Sequence, residues 1–496
     1  MTRRAALVLA TGLWLPGIAA AQLPEAEDAF RRGDYRVARA GYERVLARDS
    51  VNARALYRLA ILDSWEGQLD RSLARFALLR RLEPLDGDIM VAQARVLSWV
   101  NRTRESEALY DSVLALSPGR SDALAGRARA VAWSGDLDRA ERLWREAVDL
   151  HPDDAETLIG LAQTLWWKGQ PALAEAYLVR ARALAPEDRT ARDLERQLRA
   201  ALRPEVSTTA DYAHDSDDNA FFVQEGAYTA SLGNSLRGTV TAGWRHATGP
   251  VGSGNGSGDS FGARGHVIAA LGQGTVLRAG LGARRLAPDG GTARAPLTAE
   301  LGLGFRPGPY ASVGVAYTRA AFDETARLIE NGYLLDAVDL SVDVSPTPTV
   351  SLSGGGGATW ISDGNRRIGG VAAVLVSPAR GLQVGGFGRM MGYREPSSGR
   401  GYFDPDRFSL IEARAVWTWR RERWGVRGDA GLGAQQVGKG TGTQTEWHMG
   451  LSITKGWSAN SELALLGSVT NSAASSQTAA AQFRYWTIGF RLRHGL

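Results

Sequence analysis

The chain has 496 residues, of which 44% are hydrophobic and 22% charged, with a net charge of +5, 59 glycines and no cysteine. This length predicts at least two folded units, and the lack of cysteine excludes disulfides, thiolate metal sites and cysteine nucleophiles. The mild positive charge comes without a Lys/Arg-rich block, so nucleic acid is not an expected partner.

The first 21 residues have the pattern of a secretory signal peptide. Arg3 and Arg4 form a basic start, an apolar run follows, and three alanines at 19–21 provide the small residues of a cleavage site. We therefore expect the mature chain to begin at Gln22. The alternative, an uncleaved membrane anchor, is disfavoured because the apolar run is short and contains Pro16.

A 34-residue period runs through the chain from residue 22 to 186 and predicts five repeats. Four kinds of position recur in phase: a turn residue, a tryptophan, a small residue and a bulky residue. The turn positions are Gly33, Gly67, Asn101, Gly135 and Gly169, the small positions Ala60, Ala94, Ala128 and Ala162, and the bulky positions Tyr42, Phe76, Tyr110, Trp144 and Leu178. Prolines at 84, 118, 152 and 186 follow the same period.

Each repeat is interpreted as a pair of antiparallel helices. The Gly or Asn ends the first helix in a left-handed conformation, and the proline ends the second. The pattern resembles the tetratricopeptide repeat family, which implies an α-solenoid that binds peptides or partner proteins. Residues 187–204 are predicted to form a capping helix and a linker.

Four tryptophans precede the turn residues at the same period: Trp65, Trp99, Trp133 and Trp167. Segments such as ARVLSWVNR resemble the repeats that precede outer-membrane barrels in exopolysaccharide-export proteins. Two interpretations stay open for these repeat-face aromatic residues. They either pack between helices, as most tryptophans do, or present rings to a sugar on a concave face.

Residues 205–496 are predicted to form an antiparallel transmembrane β-barrel of sixteen strands. Apolar and polar residues alternate in segments of about ten residues, separated by turn residues. The segment from Leu410 to Trp419, for example, puts Ile411 and Trp417 on one face and Glu412 and Arg414 on the other. A soluble sandwich or propeller is the alternative.

The linkers between predicted strands alternate in length. Short turns are expected near residues 234, 273, 307, 347, 379, 421 and 455, and longer polar loops at 215–220, 247–260, 287–295, 321–331, 362–366, 395–405, 438–442 and 471–480. Bacterial barrels place short turns in the periplasm and long loops outside. With an even strand count, the start of the first strand and the end of the last strand are expected on the periplasmic side, together with the repeats.

The alternation also predicts which charged side chains line the barrel interior. These pore-lining candidates are Arg245, Arg264, Arg278, Arg284, Arg306, Glu412, Arg414, Arg427, Asp429 and Glu446. Rings of charge tune pore selectivity, and the arginine excess suits an anionic or strongly hydrogen-bonding polymer. The alternative is that these residues pair with one another and fill a polar interior.

No pattern in the sequence points to catalysis. The six histidines lie outside HExxH and GxSxG contexts, and His266 and His448 are interpreted as ordinary lumen residues. The acidic run around Asp215, Asp217 and Asp218 lacks the spacing of a calcium loop and is interpreted as a solvated loop. We expect no enzyme activity, no cofactor and no metal site.

The domain order resembles the outer-membrane export components of exopolysaccharide systems, such as those for cellulose and poly-N-acetylglucosamine. The resemblance implies an outer-membrane, porin-like export component with periplasmic repeats. Its expected partners are outer-membrane lipid, periplasmic proteins that bind the repeats, and a polysaccharide. The alternatives are a non-conducting, membrane-anchored scaffold and, third, a barrel enzyme.

Overall fold

The structure, a computed structural model, describes residues 17–272, 274–308, 310–396, 400–458, 460–473 and 483–496. The predicted signal peptide lies largely outside these residues, and its last part belongs to the first described helix. The chain divides into two compact units, Met1–Gly160 and Leu161–Leu496.

Helices form the N-terminal part of the chain and follow one another as hairpins. Their bounds are α1 (Gly17–Arg31), α2 (Tyr35–Arg48), α3 (Ala53–Trp65), α4 (Leu69–Leu82), α5 (Gly87–Trp99), α6 (Thr103–Leu116), α7 (Ser121–Trp133), α8 (Leu137–Leu150), α9 (Ala155–Trp167), α10 (Pro171–Leu184) and α11 (Arg189–Leu202). Among the helices that the structure describes, none is long and apolar enough to cross a membrane.

The turn between the two helices of each hairpin uses a left-handed residue, as the repeat pattern predicts. Positive φ angles occur at Gly33, Gly67, Gly135 and Gly169, and Asn101 takes the same conformation at φ 60°. Glycine adopts this region without a Cβ clash, and asparagine tolerates it better than other side chains. The Asn at the third turn therefore keeps the period intact.

The small and bulky columns of the repeat are buried together. Tyr42, Phe76 and Trp144 are at most 1% exposed, as is the alanine column that includes Ala60. A Cβ placed on Gly160 would lie 2.3 Å from the ring of Trp144. A glycine therefore provides the room that the largest member of the bulky column needs.

A carboxylate that accepts hydrogen bonds from three side chains stabilises the first repeat. Glu27 accepts from Tyr42 Oη at 2.7 Å, from Arg54 Nη2 at 2.9 Å and from Arg58 Nε at 3.0 Å. Burial alone would raise the pKa of the Glu27 carboxyl, but these hydrogen bonds outweigh it and hold the pKa at about 2. The carboxylate thus joins α1, α2 and α3.

Sixteen antiparallel strands form the second part of the chain and close into a barrel, which confirms the predicted fold and strand number. They are β1 (Glu205–Asp215), β2 (Ala220–Ser231), β3 (Leu236–Val251), β4 (Gly254–Gly272), β5 (Thr275–Pro288), β6 (Leu297–Gly308), β7 (Ala311–Ala321), β8 (Leu334–Thr347), β9 (Val350–Ile361), β10 (Arg366–Ala379), β11 (Leu382–Tyr393), β12 (Phe408–Arg421), β13 (Trp424–Val437), β14 (Thr443–Ser458), β15 (Ser461–Thr470) and β16 (Tyr485–Gly495). Each strand pairs with its neighbours in the chain, and β1 pairs with β16 from Glu205↔Gly495 to Asp215↔Tyr485.

The two ends of the barrel carry different connections. The end that holds Glu205 and Gly495 has turns of two to four residues, whereas the other end has loops of up to fourteen residues. One predicted long loop is wrong: β3 and β4 run through 247–260 and meet at a two-residue turn, with Val251 paired to Gly254. This segment pairs through its backbone, which its small Gly and Ser side chains permit.

The outer face of the barrel is apolar in every quarter of its circumference. Large side chains are exposed there at alternate positions, and the most exposed include Val240, Leu281, Leu301, Ile411, Leu432 and Ile488. Soluble monomers rarely expose a contiguous apolar surface of such extent. The inner face carries the charged residues.

The Glu27 network predicts how the helical part responds to acid. Because the folded pKa is depressed, its contribution is complete above the unfolded value near 4.5 and is lost as the pH falls towards 2. Glu27→Gln should lower the unfolding free energy at pH 7 by about 2 kcal/mol. It should also flatten the decline of the unfolding free energy between pH 5 and 2. Circular dichroism at 222 nm measures this.

The matched control is Glu25→Gln, which changes an exposed carboxyl of the same helix. It should behave as the wild type at every pH. An unchanged pH profile in Glu27→Gln would show that the three hydrogen bonds do not set the acid response.

Candidate functional site

The strand register places the ten pore-lining candidates on one face of the barrel. Residues paired across a ladder share a face, and Arg245 pairs with Ser260, Gly262 with Arg284, and Thr241 with Arg264. The same relation joins Arg278, Arg306 and Glu300 on β5 and β6, and Glu412, Arg414, Arg427, Asp429 and Glu446 on β12 to β14. The opposite face holds the exposed apolar side chains.

The loop 322–333, between β7 and β8, folds onto this inner face instead of extending outwards. It contains a short helix, α12 (Ala326–Asn331), capped by Thr325, whose hydroxyl accepts from Leu328 N at 3.3 Å. Gly332 ends it at φ 66°. The helix contacts β3, β4 and β5, which are not the strands that flank the loop. The prediction of a polar external loop at 321–331 is therefore wrong.

Asp323 fastens the loop to the barrel through the predicted arginines. Ser260 Oγ donates to its carboxylate at 2.5 Å, and Arg284 Nε donates to the same carboxylate. Arg245 Nη1 donates to the Asp323 backbone carbonyl at 3.1 Å. Asp323 is buried, so loss of this carboxylate would leave two guanidinium groups without their ion pair.

Apolar side chains of the loop contact two separate parts of the inner face. Ala326 and Ile329 pack with Ala247 and Leu286, on β3 and β5. Leu328 packs on the other side with three further residues, Ile361, Tyr393 and Tyr402. The loop therefore crosses the interior from β3–β5 to β9–β11.

A second loop, of which the structure describes residues 394–396 and 400–407, adds to this inward layer. Its Tyr402 packs against Phe322 with ring centroids 5.4 Å apart, and its hydroxyl donates to Asp363 Oδ2 at 2.7 Å. Burial raises the pKa of Tyr402 well above its usual range, so the phenol stays protonated and keeps donating. Arg400 Nη1 approaches the same carboxylate at 3.1 Å.

Among the residues that the structure describes, cavities lie inside the barrel around the crossing loop. One of about 420 Å³ is bordered by Phe322 and Leu328 of the loop and by Arg367 and Arg389 of the barrel. Another of about 220 Å³ is lined by charged and polar side chains, namely Arg245, Arg264, Arg284, Glu225, Glu300, Thr318 and Asp323. Arg245 borders both cavities.

A second charged group occupies the inner face of β12, β13 and β14. His448 Nδ1 lies 3.0 Å from Glu412 Oε2 and 3.9 Å from Glu446 Oε1, and its Nε2 lies 3.3 Å from Asp429 Oδ2. Arg414 Nη2 is 3.4 Å from the same Nε2. Four of the predicted residues thus meet around a histidine that sequence reasoning treated as ordinary.

Sequence reasoning missed this grouping because alternation alone assigns a face but not a register. Gly431 pairs with both Arg414 and His448, which brings side chains from β12 and β14 together over a glycine. A Cβ on Gly431 would lie 2.2 Å from His448 Cε1. The available signal was Glu446 and His448 at alternate positions of one strand with a glycine on its neighbour.

The four repeat tryptophans each end the first helix of a hairpin and are only half covered. Their exposed fractions are 54% for Trp65, 41% for Trp99, 43% for Trp133 and 45% for Trp167. Trp65 stacks on Phe30 with centroids 5.7 Å apart. Helix packing therefore covers one part of the Trp65 ring, and all four rings keep an accessible part.

The Asp323 contacts predict that a single substitution releases the crossing loop. In a chain without native cysteine, Ala326→Cys provides a reporter at a site that is 1% exposed. Adding Asp323→Ala should raise its reaction rate with a maleimide on the order of 100-fold, since breaking a buried ion pair costs about 3–5 kcal/mol.

Asp289→Ala is the control, because Asp289 is an exposed carboxylate in another loop of the same barrel end. It should leave the reporter protected. Equal labelling in all three proteins would mean that Asp323 does not hold the loop.

Comparison with known proteins agrees with the helical repeats. Sequence models of the tetratricopeptide repeat family match residues 134–198 and 23–62. No curated protein sequence matches the chain. Similar solved structures include a bacterial polysaccharide outer membrane secretin, with a TM-score of 0.48, 14% identity, and coverage of 60% of this chain and 99% of that chain.

Two further similar structures align with a smaller share of this chain. One is a tetratricopeptide repeat protein from Parabacteroides merdae, with a TM-score of 0.36, 19% identity, and coverage of 38% of this chain and 73% of that chain. The other is PilW, a widely conserved type IV pilus biogenesis factor, with a TM-score of 0.33, 22% identity, and coverage of 38% and 94%. Residues 23–62 and 134–198 thus match the tetratricopeptide repeat family, and the chain joins such repeats to a closed sixteen-stranded β-barrel.

Proposed function

We propose that the protein is a porin-like outer-membrane component that exports an exopolysaccharide. The observation that carries the proposal is the reversal of polarity across the barrel, which is apolar outside and charged inside. In a closed barrel the backbone N–H and C=O groups of every strand bond to neighbouring strands, so the barrel can span a lipid bilayer without an exposed edge. A charged interior of sixteen strands suits a polar cargo.

The barrel ends give the proposed orientation. The end with short turns also holds Glu205 and Gly495, and α11 leads directly into Glu205. Short turns of bacterial barrels face the periplasm. The repeats then belong to the periplasm, where they dock partner proteins or guide the polymer.

The interior chemistry favours a hydrogen-bonding or anionic chain as cargo. Arg245, Arg264 and Arg284 line one cavity with Glu300, and guanidinium groups present several donors in a fixed plane. The half-exposed tryptophans of the repeats offer flat apolar surfaces, which pack against the C–H faces of sugar rings. Both features suit a polysaccharide.

One observation favours the second candidate, a non-conducting scaffold whose barrel only anchors the repeats. The loop 322–333 crosses the interior and is held at both sides by buried side chains. A permanent crossing would leave the repeats as the functional part. In the export role, the same loop is a gate that must move.

Conductance in planar bilayers separates these two candidates. The full-length wild-type protein should give small or rare openings, because the loop narrows the interior. Asp323→Ala should give conductance several-fold larger, since the carboxylate that holds the loop is gone. Asp289→Ala should match the wild type.

The export proposal fails if Asp323→Ala frees the loop, as judged by the labelled cysteine, and the barrel still passes no ions. That pair of results would support the anchored scaffold. If the wild type conducts and Asp323→Ala does not change the conductance, the barrel is a pore but the loop is not its gate.

The tryptophans can be tested separately from the barrel. Replacing Trp65, Trp99 and Trp133 together with leucine should weaken binding of cellulose or poly-N-acetylglucosamine oligomers about 100-fold, as each loses an aromatic contact of about 1 kcal/mol. Titration calorimetry measures this on the full chain. The control replaces Leu82, Leu116 and Leu150 with alanine, because these leucines are also exposed at a spacing of 34 residues.

Equal binding by the two triple variants would assign the tryptophans to packing or to protein partners. A loss of helical signal in the tryptophan variant alone would point to packing. Normal folding with lost oligomer binding would support the guiding role.

A further inference from the structure

We infer that Glu412, Glu446 and His448 form a divalent metal site on the inner face of the barrel. One ligand atom from each of the three residues lies within 4.8 Å of the others. The inference goes beyond the export role and does not depend on it. It also departs from the expectation that the chain has no metal site.

The distances around His448 Nδ1 match those of ligands that share one ion. Donor atoms about 2.0–2.2 Å from a tetrahedral ion are separated by roughly 3.4 Å. His448 Nδ1 lies 3.0 Å from Glu412 Oε2 and 3.9 Å from Glu446 Oε1, on either side of that value. Small side-chain rotations therefore bring the three donors onto a common centre.

A buried oxygen without a partner provides an independent sign of a ligand. Glu446 is 2% exposed, and its Oε2 has no hydrogen-bond partner among the residues that the structure describes. A buried carboxylate oxygen without a donor is costly, because burial removes its water and gives nothing in return. A metal ion bound to the Glu446 carboxylate would compensate for this lost hydration.

The charge of the group also calls for a cation. Glu412, Glu446 and Asp429 bring three carboxyl groups together, and the nearby cation is Arg414, at 3.6 Å from Glu412 and 3.9 Å from Asp429. The Arg414 guanidinium also stacks at 5.2 Å over Phe387. With all three carboxyls ionised in the metal-bound form, Arg414 leaves two negative charges, which a divalent ion neutralises.

The surroundings orient the histidine for this role. Asp429 Oδ2 lies 3.3 Å and Arg414 Nη2 lies 3.4 Å from His448 Nε2. In the tautomer with hydrogen on Nε2, which donates to Asp429, the Nδ1 lone pair faces the two glutamates and can bind the ion. Gly431 leaves the space that the ring occupies. Asp429 is thus a positioning residue.

The donor set selects a class of ion. One imidazole nitrogen and two carboxylates suit Zn²⁺ or Mn²⁺ better than Ca²⁺ or Mg²⁺, which prefer oxygen ligands alone. Because the ligands come from β12 and β14, with β13 between them, a bound ion would tie three neighbouring strands together inside the barrel.

The test is titration of ZnCl₂ and MnCl₂ into the EDTA-treated, tag-free full-length protein in detergent, followed by calorimetry. We expect one ion per chain. Glu446→Gln and His448→Ala should each abolish that binding, and Asp429→Asn should weaken it about 10–100-fold. A gain in thermal stability on adding Zn²⁺, present only in the wild type and controls, is a second readout.

The controls change the same residue types at another place on the inner face. Glu300→Gln and His266→Ala lie on β6 and β4 and should bind as the wild type does. Circular dichroism verifies that every variant keeps its strands. If the wild type takes up no more metal than Glu446→Gln/His448→Ala, the inference is overturned and the two glutamates share a proton instead.

Discussion

Closure of the sheet is the constraint on which the rest of the barrel depends. Pairing of β1 with β16 leaves no open edge, so the backbone donors and acceptors of the strands find partners within the sheet. Closure also divides the side chains into two sets, because alternate residues then point to the interior or away from it. The inner arginines and glutamates lie close together because the closed sheet directs them into one interior, rather than because they attract one another.

The parts of the fold that are local in sequence were predictable, and those that depend on register were not. The 34-residue period follows from one left-handed residue per hairpin, and even Asn101 obeys it. The strand number follows from the turns, because each turn can be recognised from its own local residues. The meeting of Glu412 with His448 instead depends on two successive ladders, through Gly433 and Gly431, which no single strand reveals.

The crossing loop shows a different reason for a missed prediction. Its sequence contains a capping Thr325, apolar Leu328 and Ile329, and a terminating Gly332, which together specify a short helix with an apolar side. Length and polar neighbours made it resemble an external loop. The position of the loop is determined by the inner face that it contacts. There Gly258 permits close approach of Ile329, and Ser260 and Arg284 donate hydrogen bonds to the Asp323 carboxylate.

The way the loop is held sets what could open it in the export role. Burial of Leu328 and Ile329 contributes about 1.5–3 kcal/mol each, and the Asp323 ion pairs resist the loss of either partner by about 3–5 kcal/mol. A ligand shifts such an equilibrium only by its greater affinity for the open state, and near-complete opening needs about 5.5 kcal/mol. Arg245 and Arg284, which hold the closed loop, become available to cargo once it leaves. In the proposed export role, cargo and Asp323 would therefore compete for the same guanidinium groups, and binding of a hydrogen-bonding polymer would be coupled to opening of the barrel.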